Sequence, residues 1–260
     1  MASKIGILDS GVGGLSVLRE IRKKLPGNPL VYVGDSAWCP YGPKAPLTIQ
    51  KRVFSIVDFL IAQGCDLLVV ACNSATLSAV EALRASYLLP FVGMEPAIKP
   101  GVAATKSGVI GVLATEASLA GERYHQLVHQ HGPGVRILTR PAPEFVELVE
   151  AGLLAGSQVE SAVHQHLDPL LHEGADTLVL GCTHYPFLRP VMQAIAGNHL
   201  TILDTGQAVA EQTARLAKPG AGQASEIVFY TTADPPEMNR LLPLLLPEMP
   251  PPPPARLLAL

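Results

Sequence analysis

One pattern in this chain occurs twice. Residues 64–76, GCDLLVVACNSAT, align with residues 174–186, GADTLVLGCTHYP, with Gly, Asp, Leu, Val and Cys in register, five identities in thirteen positions. A second pair, IGILDS at 5–10 and IGVLAT at 110–115, occurs in the same order at nearly the same offset. Self-similarity of this kind constrains a fold strongly, because each copy has to build the same supersecondary unit. Any two buried parallel strands share Leu, Val and Gly, and that explains the aliphatic matches. It does not explain the cysteine. The pattern predicts two related lobes, each with a cysteine at the same place.

Short β-branched runs alternate with longer segments of helical period, the pattern of an α/β protein. Strands are predicted at 4–8, 30–33, 66–71, 90–93, 108–113, 135–138, 176–180, 200–203 and 226–230. Leu15, Leu18, Ile21 and Leu25 recur at helical spacing up to Pro26-Gly27, and Thr48 is read as the cap of a helix carrying Ile49, Val53, Ile56, Val57 and Leu60. Leu77, Val80 and Leu83 mark a third helix. Val159, Val163, Leu167 and Leu170 mark a fourth, which Pro169 should bend or restart. The fold class is therefore α/β, with two pseudo-symmetric lobes, each a mostly parallel sheet flanked by helices. Pro243, Pro247 and Pro250–Pro254 exclude helix interior and central strand, so residues 247–260 are expected to be an extended or disordered Pro-rich tail.

With 260 residues, 19 basic and 22 acidic side chains and a formal charge of −3, the chain lacks the clustered cationic surplus that phosphate neutralisation needs; a nucleic-acid partner is excluded. No apolar run approaches the roughly 18 residues of a membrane span, and the first residues are charged too soon for a signal peptide. Four cysteines, at 39, 65, 72 and 182, are few and irregularly spaced for a disulfide scaffold. A cytoplasmic protein with reduced thiols is expected.

Cys72 and Cys182 each end a predicted strand, directly before Asn73-Ser74-Ala75-Thr76 and Thr183-His184-Tyr185-Pro186. Ligands of open α/β sheets bind at that edge, and a helix N-terminus there holds a carboxylate and favours a thiolate. For either cysteine alone a buried structural role is the simpler reading; their equivalence in a repeat favours chemistry. Cys65 precedes its strand and reads as core filler, while Cys39 lies in a turn-rich loop with no activating neighbour. His125 and His129 share a helix face but lack the Glu and third ligand of a metalloprotease motif, so no metal is expected. Asp9-Ser10-Gly11-Val12-Gly13-Gly14 is neither a dinucleotide fingerprint nor a Walker loop. Asp9 either caps the following helix or acts in catalysis, and both readings stand.

ILDSGVGGL at 7–15, VGDSA at 33–37 followed by PYG at 40–42, VVACNSAT at 69–76, LVEAG at 148–152 and GCTHYP at 181–186 together resemble the glutamate racemases of the aspartate/glutamate racemase family. The likeness runs from residue 5 to about residue 207. It implies two lobes facing each other across an active site, 1–95 with 207–260 and 96–206. It also implies cofactor-independent interconversion of L- and D-glutamate, without pyridoxal phosphate or metal, supplying D-glutamate for peptidoglycan, by a chain that often forms a homodimer. By the same likeness Cys72 deprotonates D-glutamate and Cys182 L-glutamate, Asp9 assists Cys72, His184 assists Cys182, and Glu150 polarises His184. Asp9, Ser10, Tyr41, Gly42, Asn73, Ser74, Thr76, Thr183 and His184 match substrate-contacting positions. Ser74 stands where Thr is usual, Thr205 where Ser often follows Asp204, and 114–121 is less typical.

Two similar acid/base groups are what racemisation needs, one on each face of the α-carbon. A nearby Asp9 anion would, however, oppose a thiolate at Cys72. The competing readings are an aspartate racemase, a non-catalytic amino-acid-binding module, and a thiol redox protein. The last lacks a C-x-x-C pair.

Overall fold

Aliphatic runs with no polar face suit strands buried on both sides, and these need a parallel sheet with helices on either side. A computed structural model shows two such sheets. It describes residues 1–220 and 225–260; residues 221–224, part of the segment 207–260 expected in the first lobe, lie outside the described residues. The chain divides into two compact units, Met1–Met94 with Gly206–Leu260, and Glu95–Thr205.

The first unit begins with β1 (Ile5–Asp9), α1 (Leu15–Lys24), β2 (Leu30–Gly34), α2 (Pro46–Ala62), β3 (Leu67–Val70), α3 (Asn73–Ser86) and β4 (Phe91–Val92). The second contains α4 (Ile98–Ala104), β5 (Val109–Ala114), α5 (Glu116–Ala120), α6 (Glu122–His131), β6 (Arg136–Pro141), α7 (Glu144–Glu150), α8 (Ser157–His172), β7 (Thr177–Gly181), α9 (Arg189–Ala196) and β8 (Thr201–Leu203). The chain then returns to the first unit with α10 (Gly206–Leu216), β9 (Ile227–Thr231), α11 (Pro235–Leu245) and β10 (Arg256–Leu257).

Among the described residues all pairings are parallel, in the orders β10-β9-β2-β1-β3-β4 and β6-β5-β7-β8. In each unit the second, first, third and fourth strands of the repeat lie side by side in that order, so the sequence echo is an echo of topology. It also has a packing cause. Gly6 pairs with Leu68 and Gly111 with Leu178. A Cβ on Gly6 would come within 2.5 Å of Leu68 Cδ2, and one on Gly111 within 3.2 Å of Leu178 Cδ1. In both units a leucine leans over the space a side chain would fill. The Gly and Leu matches are therefore a sterically coupled pair as well as shared strand composition.

All nine predicted strands are present, shifted by a residue or so at their starts. Three details differ. Thr48 does not cap α2, which starts at Pro46 after Ala45; proline at the first helical position has its φ pre-set and lacks only an N–H that would have no helical partner. Pro169 does not restart α8, which runs on to His172, and Pro243, expected to exclude helix, lies inside α11 two residues from its end, because a proline in the last turn removes one hydrogen bond with little helix left to disrupt. The Pro-rich end is not a free tail throughout. Beyond Pro254, Ala255 N–H donates to Asn239 Oδ1 at 2.6 Å, Leu258 N–H donates to Thr231 O at 2.8 Å, and β10 pairs with β9. Prolines bar a ladder only where they sit, and the next residues recover their donors. Among the described residues no helix is long and apolar enough to cross a membrane.

Candidate active site

In the first unit β1 and β3 are neighbours, so their carboxyl ends form one edge. Ala71 N–H donates to Leu8 O at 2.8 Å, carrying the pairing one residue beyond β3. Cys72 then turns the chain into α3: its backbone is extended, and its carbonyl accepts Thr76 N–H at 2.9 Å as the helix N-cap. Its Sγ lies 3.8 Å from Ser10 Oγ. Asp9, Ser10, Cys72, Asn73 and Ser74 are all buried. Asn73 Oδ1 has no hydrogen-bond partner, which leaves a buried acceptor at the start of α3.

Asp9 does not cap α1, whose N-cap is Gly14 with no side-chain cap hydrogen bond; it holds the turn that leads into the helix. Its Oδ2 accepts Gly11 N–H at 3.2 Å and Gly14 N–H at 2.9 Å, and Tyr32 O–H holds the same turn by donating to Gly11 O at 2.7 Å. Gly14 is required by space, since a Cβ there would lie 2.7 Å from Asp9 Cβ and 3.2 Å from Ala71 Cβ. Gly14 thus lets the turn lie close to the strand ends.

Sequence reasoning did not find the hub beside this edge. Asp35, fully buried just after β2, accepts from Tyr41 O–H at 2.6 Å, from Arg52 Nη2 at 2.6 Å and Nε at 3.1 Å, and from Thr232 O–H at 2.7 Å. Burial and the Asp35 charge push the Tyr41 phenol far above its ordinary range, so it stays neutral. Arg52 in turn lies 5.0 Å from the centre of the Trp38 ring. The available signal was Asp35 inside VGDSA, a carboxylate at a strand's carboxyl end like Asp9. Gly42 lies in the partly exposed turn after Tyr41. Thr76 is committed to the backbone, donating to Val70 O at 3.2 Å and accepting Met94 N–H at 3.0 Å.

In the second unit Cys182 comes directly after β7, buried at the edge β7 shares with β5. A Cβ on Gly181 would fall 2.7 Å from Ala114 Cβ, so this edge is also closely packed. Pro186 restricts the next segment to a 3₁₀ turn, Tyr185–Leu188, before α9. Cys182 Sγ lies 3.7 Å from His184 Nδ1, and His184 Nε2 lies 2.7 Å from Glu150 Oε1. With a carboxylate accepting at Nε2, the neutral imidazole turns an acceptor nitrogen toward the thiol. Thr183 is buried beside it. Tyr185 donates to Ala142 O at 2.7 Å, and burial, with Cys182 nearby, raises its phenol well above the usual range.

The residues expected to act therefore gather in two groups: Asp9, Ser10, Cys72, Asn73 and Ser74 at one sheet edge, and Cys182, Thr183, His184 and Glu150 at the other. The remaining cysteines behave differently. Cys65 is buried and burial pushes its thiol up to about 12, which makes it an inert core group. Cys39 is half-buried in its loop, and all four cysteines are free thiols. His125 and His129 are exposed on α6.

Residues 5–213 match the family model described as Asp/Glu/Hydantoin racemase. A glutamate racemase of Pseudomonas entomophila is 47% identical over 249 residues, covering 94% of each chain. Among solved structures, a Bacillus anthracis glutamate racemase isoform superposes with a TM-score of 0.85 at 32% identity, over 99% of this chain and 98% of that one. Escherichia coli glutamate racemase, solved with L-glutamate and the activator UDP-MurNAc-Ala, gives a TM-score of 0.85 at 35% identity over 94% of each chain. The matched segment contains both thiols and their partners, and the relatives align over almost the whole length: the chain belongs to the Asp/Glu/Hydantoin racemase family.

Proposed function

We propose that this protein interconverts L- and D-glutamate by a two-base mechanism in which Cys72 and Cys182 act on opposite faces of the α-carbon. The observation that carries this reading is the pair of buried thiols at equivalent strand ends of two units that share a four-strand order, Cys72 beside Ser10 and Cys182 beside His184. Relatives named as glutamate racemases, one of them solved with L-glutamate, support glutamate as the substrate.

In the L-to-D direction Cys182 removes the α-proton and Cys72 delivers one to the other face; the reverse direction exchanges the roles. A free thiol is only a few per cent thiolate at neutral pH, so each needs a partner that accepts its proton. His184 Nδ1 is placed to do this for Cys182, with Glu150 supporting the imidazolium that forms. Asp9 serves the Cys72 side. A helix N-terminus contributes about 0.3–1 kcal/mol to a nearby anion, which helps at Cys72 yet is far less than a carbanion requires. The rest comes from oriented donors around the substrate carboxylate in a site that excludes water. Ser10, Ser74, Thr183 and the first N–H groups of α3 are suited to that carboxylate, and Asn73 Oδ1 to the ammonium. Gly42, Tyr41 and Thr76 complete and support the substrate pocket. The enzyme works in the cytoplasm as a homodimer, without pyridoxal phosphate or metal, and its D-glutamate enters peptidoglycan.

The test is incubation of chelator-treated, pyridoxal-free protein with L-glutamate in D2O, following optical rotation and α-deuterium together. Loss of rotation with deuterium incorporation is expected. Silence in both readouts sinks the proposal, and a response to aspartate in its place moves the substrate assignment.

A further inference from the structure

The second unit contains a second histidine–glutamate pair that the mechanism does not use. His166 of α8 is 5% exposed, and its Nε2 contacts Glu144 Oε1. Its Nδ1 is buried without a hydrogen-bond partner. An unsatisfied buried polar atom is destabilising, so an aliphatic residue would fill this place at lower cost. What His166 gains is its contact with Glu144.

Glu144 is the first residue of α7 and Glu150 the last. The helix is about 9 Å long between them, at about 1.5 Å per residue, and has a His–Glu contact at each end: His166 to Glu144, and His184 to Glu150. Phe145, Val146, Leu148 and Val149 bury its apolar face. A second route joins the same two histidines. The Phe145 ring meets His166 edge-on at 5.3 Å and 80°, and meets Tyr185 edge-on at 5.2 Å and 81°. Tyr185 adjoins His184 and donates to Ala142 O, two residues before α7 begins.

We infer that His166 and Glu144 are positioning residues that set the axial placement of α7, and thereby hold Glu150 against His184 Nε2 and His184 Nδ1 toward Cys182. The inference rests on the proposed two-thiol reaction. A short helix with one buried face is free to slide or tilt by a fraction of a turn unless both ends are fixed. A displacement of about 1 Å at an acid–base group is enough to cost up to about a hundredfold in rate. Because His166 touches neither thiol, its effect should reach the reaction only through Glu150 and His184.

The experiment compares His166→Phe, which fills the space without a donor, and His166→Gln, which restores an N–H near the Nε2 position, each alone and combined with Glu150→Gln. In the otherwise unaltered protein, His166→Phe is expected to lower kcat/KM about tenfold, mainly through kcat, and His166→Gln to recover most of the loss. Enantiomers are equal in free energy, so kcat/KM falls equally in both directions. The α-deuterium isotope effect separates the thiols: it should rise with L-glutamate, whose proton goes to Cys182, and fall with D-glutamate. In the Glu150→Gln background, His166→Phe should add less than about twofold, the non-additivity of residues that act in series. A full tenfold loss in that background, isotope effects unchanged for both enantiomers, or undiminished activity of His166→Phe each overturns the inference. If the unaltered protein fails to racemise glutamate, the proposed function is at fault instead.

Discussion

The two units share a strand order, a cysteine at the same strand end and a glycine–leucine pair beneath it, yet they surround their thiols differently. In the first unit the carboxylate comes from the neighbouring strand, as Asp9, and is fixed by two backbone N–H groups. Ala114 holds the corresponding place in the second unit. There the thiol's neighbour is His184, two residues past it, whose Nε2 meets Glu150 from α7. The step after the cysteine differs too: a 14-residue helix comes after Cys72, whereas a 3₁₀ turn comes after Cys182. The repeated scaffold determines where a thiol stands and leaves its surroundings free to vary. A racemase has reason to use that freedom. The α-proton leaves from opposite faces of the α-carbon, while the carboxylate, ammonium and side chain are three different groups, so two identical surroundings are not required.

The largest expected effect tests whether the thiols are equivalent. Cys72→Ala and Cys182→Ala should each lower racemisation by at least about a thousandfold, as removal of a group acting in a unit does. Each variant should still exchange the α-proton of one enantiomer in D2O: L-glutamate for Cys72→Ala, D-glutamate for Cys182→Ala. Proton NMR of both enantiomers checks this, and exchange of the same enantiomer by both variants breaks the assignment.

Next in size is the difference between the two partners. His184→Ala should reduce kcat/KM by about 10²–10³, within the range of general acid–base groups. Asp9 carries two duties that substitution can separate. Asp9→Asn keeps an oxygen for the Gly11 and Gly14 N–H groups and should lose activity while retaining stability; Asp9→Ala should lose activity and, with those hydrogen bonds, about 1 kcal/mol of stability. Steady-state rates and urea unfolding of the pair decide between them. Full activity in Asp9→Asn would leave Asp9 only its hold on the turn before α1.

The smallest effect concerns a residue identical in both copies of the repeat. Desolvation pulls the Asp176 carboxyl up, but hydrogen bonds from the Thr105 hydroxyl, Ser107 N–H, Lys106 N–H and the Thr177 hydroxyl outweigh it and hold it down to about 2. Its counterpart Asp66 is exposed. A folded-state value below the unfolded one, ordinarily about 3.9, stabilises above the unfolded value and is lost as pH falls toward 2. Asp176→Asn should therefore cost about 1 kcal/mol near neutral pH, allowing for solvent screening, and almost nothing near pH 2; Asp66→Asn should have little effect throughout. Thermal unfolding across that range measures both. A cost that persists unchanged at pH 2 would falsify the charge-based account.

Legibility in the sequence depends on distance along the chain. Every strand of the repeat is visible because β-branched runs and turn residues act within a few positions. Cys72-Asn73-Ser74 and Cys182-Thr183-His184 are visible because each group is continuous. Glu150 is reached only through resemblance, because LVEAG at 148–152 stands a whole helix and strand ahead of Cys182. The Asp35 hub escapes because its ligands Tyr41, Arg52 and Thr232 come from a loop, a helix and the end of β9. β10 escapes because the prolines before it dominate the local pattern.

The amino-acid sequence by itself determined the α/β class, the duplication and the two strand-end cysteines, since these arise from side-chain period, backbone preference and adjacency. Only the tertiary structure showed which groups lie against those cysteines. Ser10 beside Cys72, Glu150 behind His184, and His166 against Glu144 depend on packing that brings distant segments together, and a hydrogen bond requires contact at about 3 Å whatever the separation in sequence.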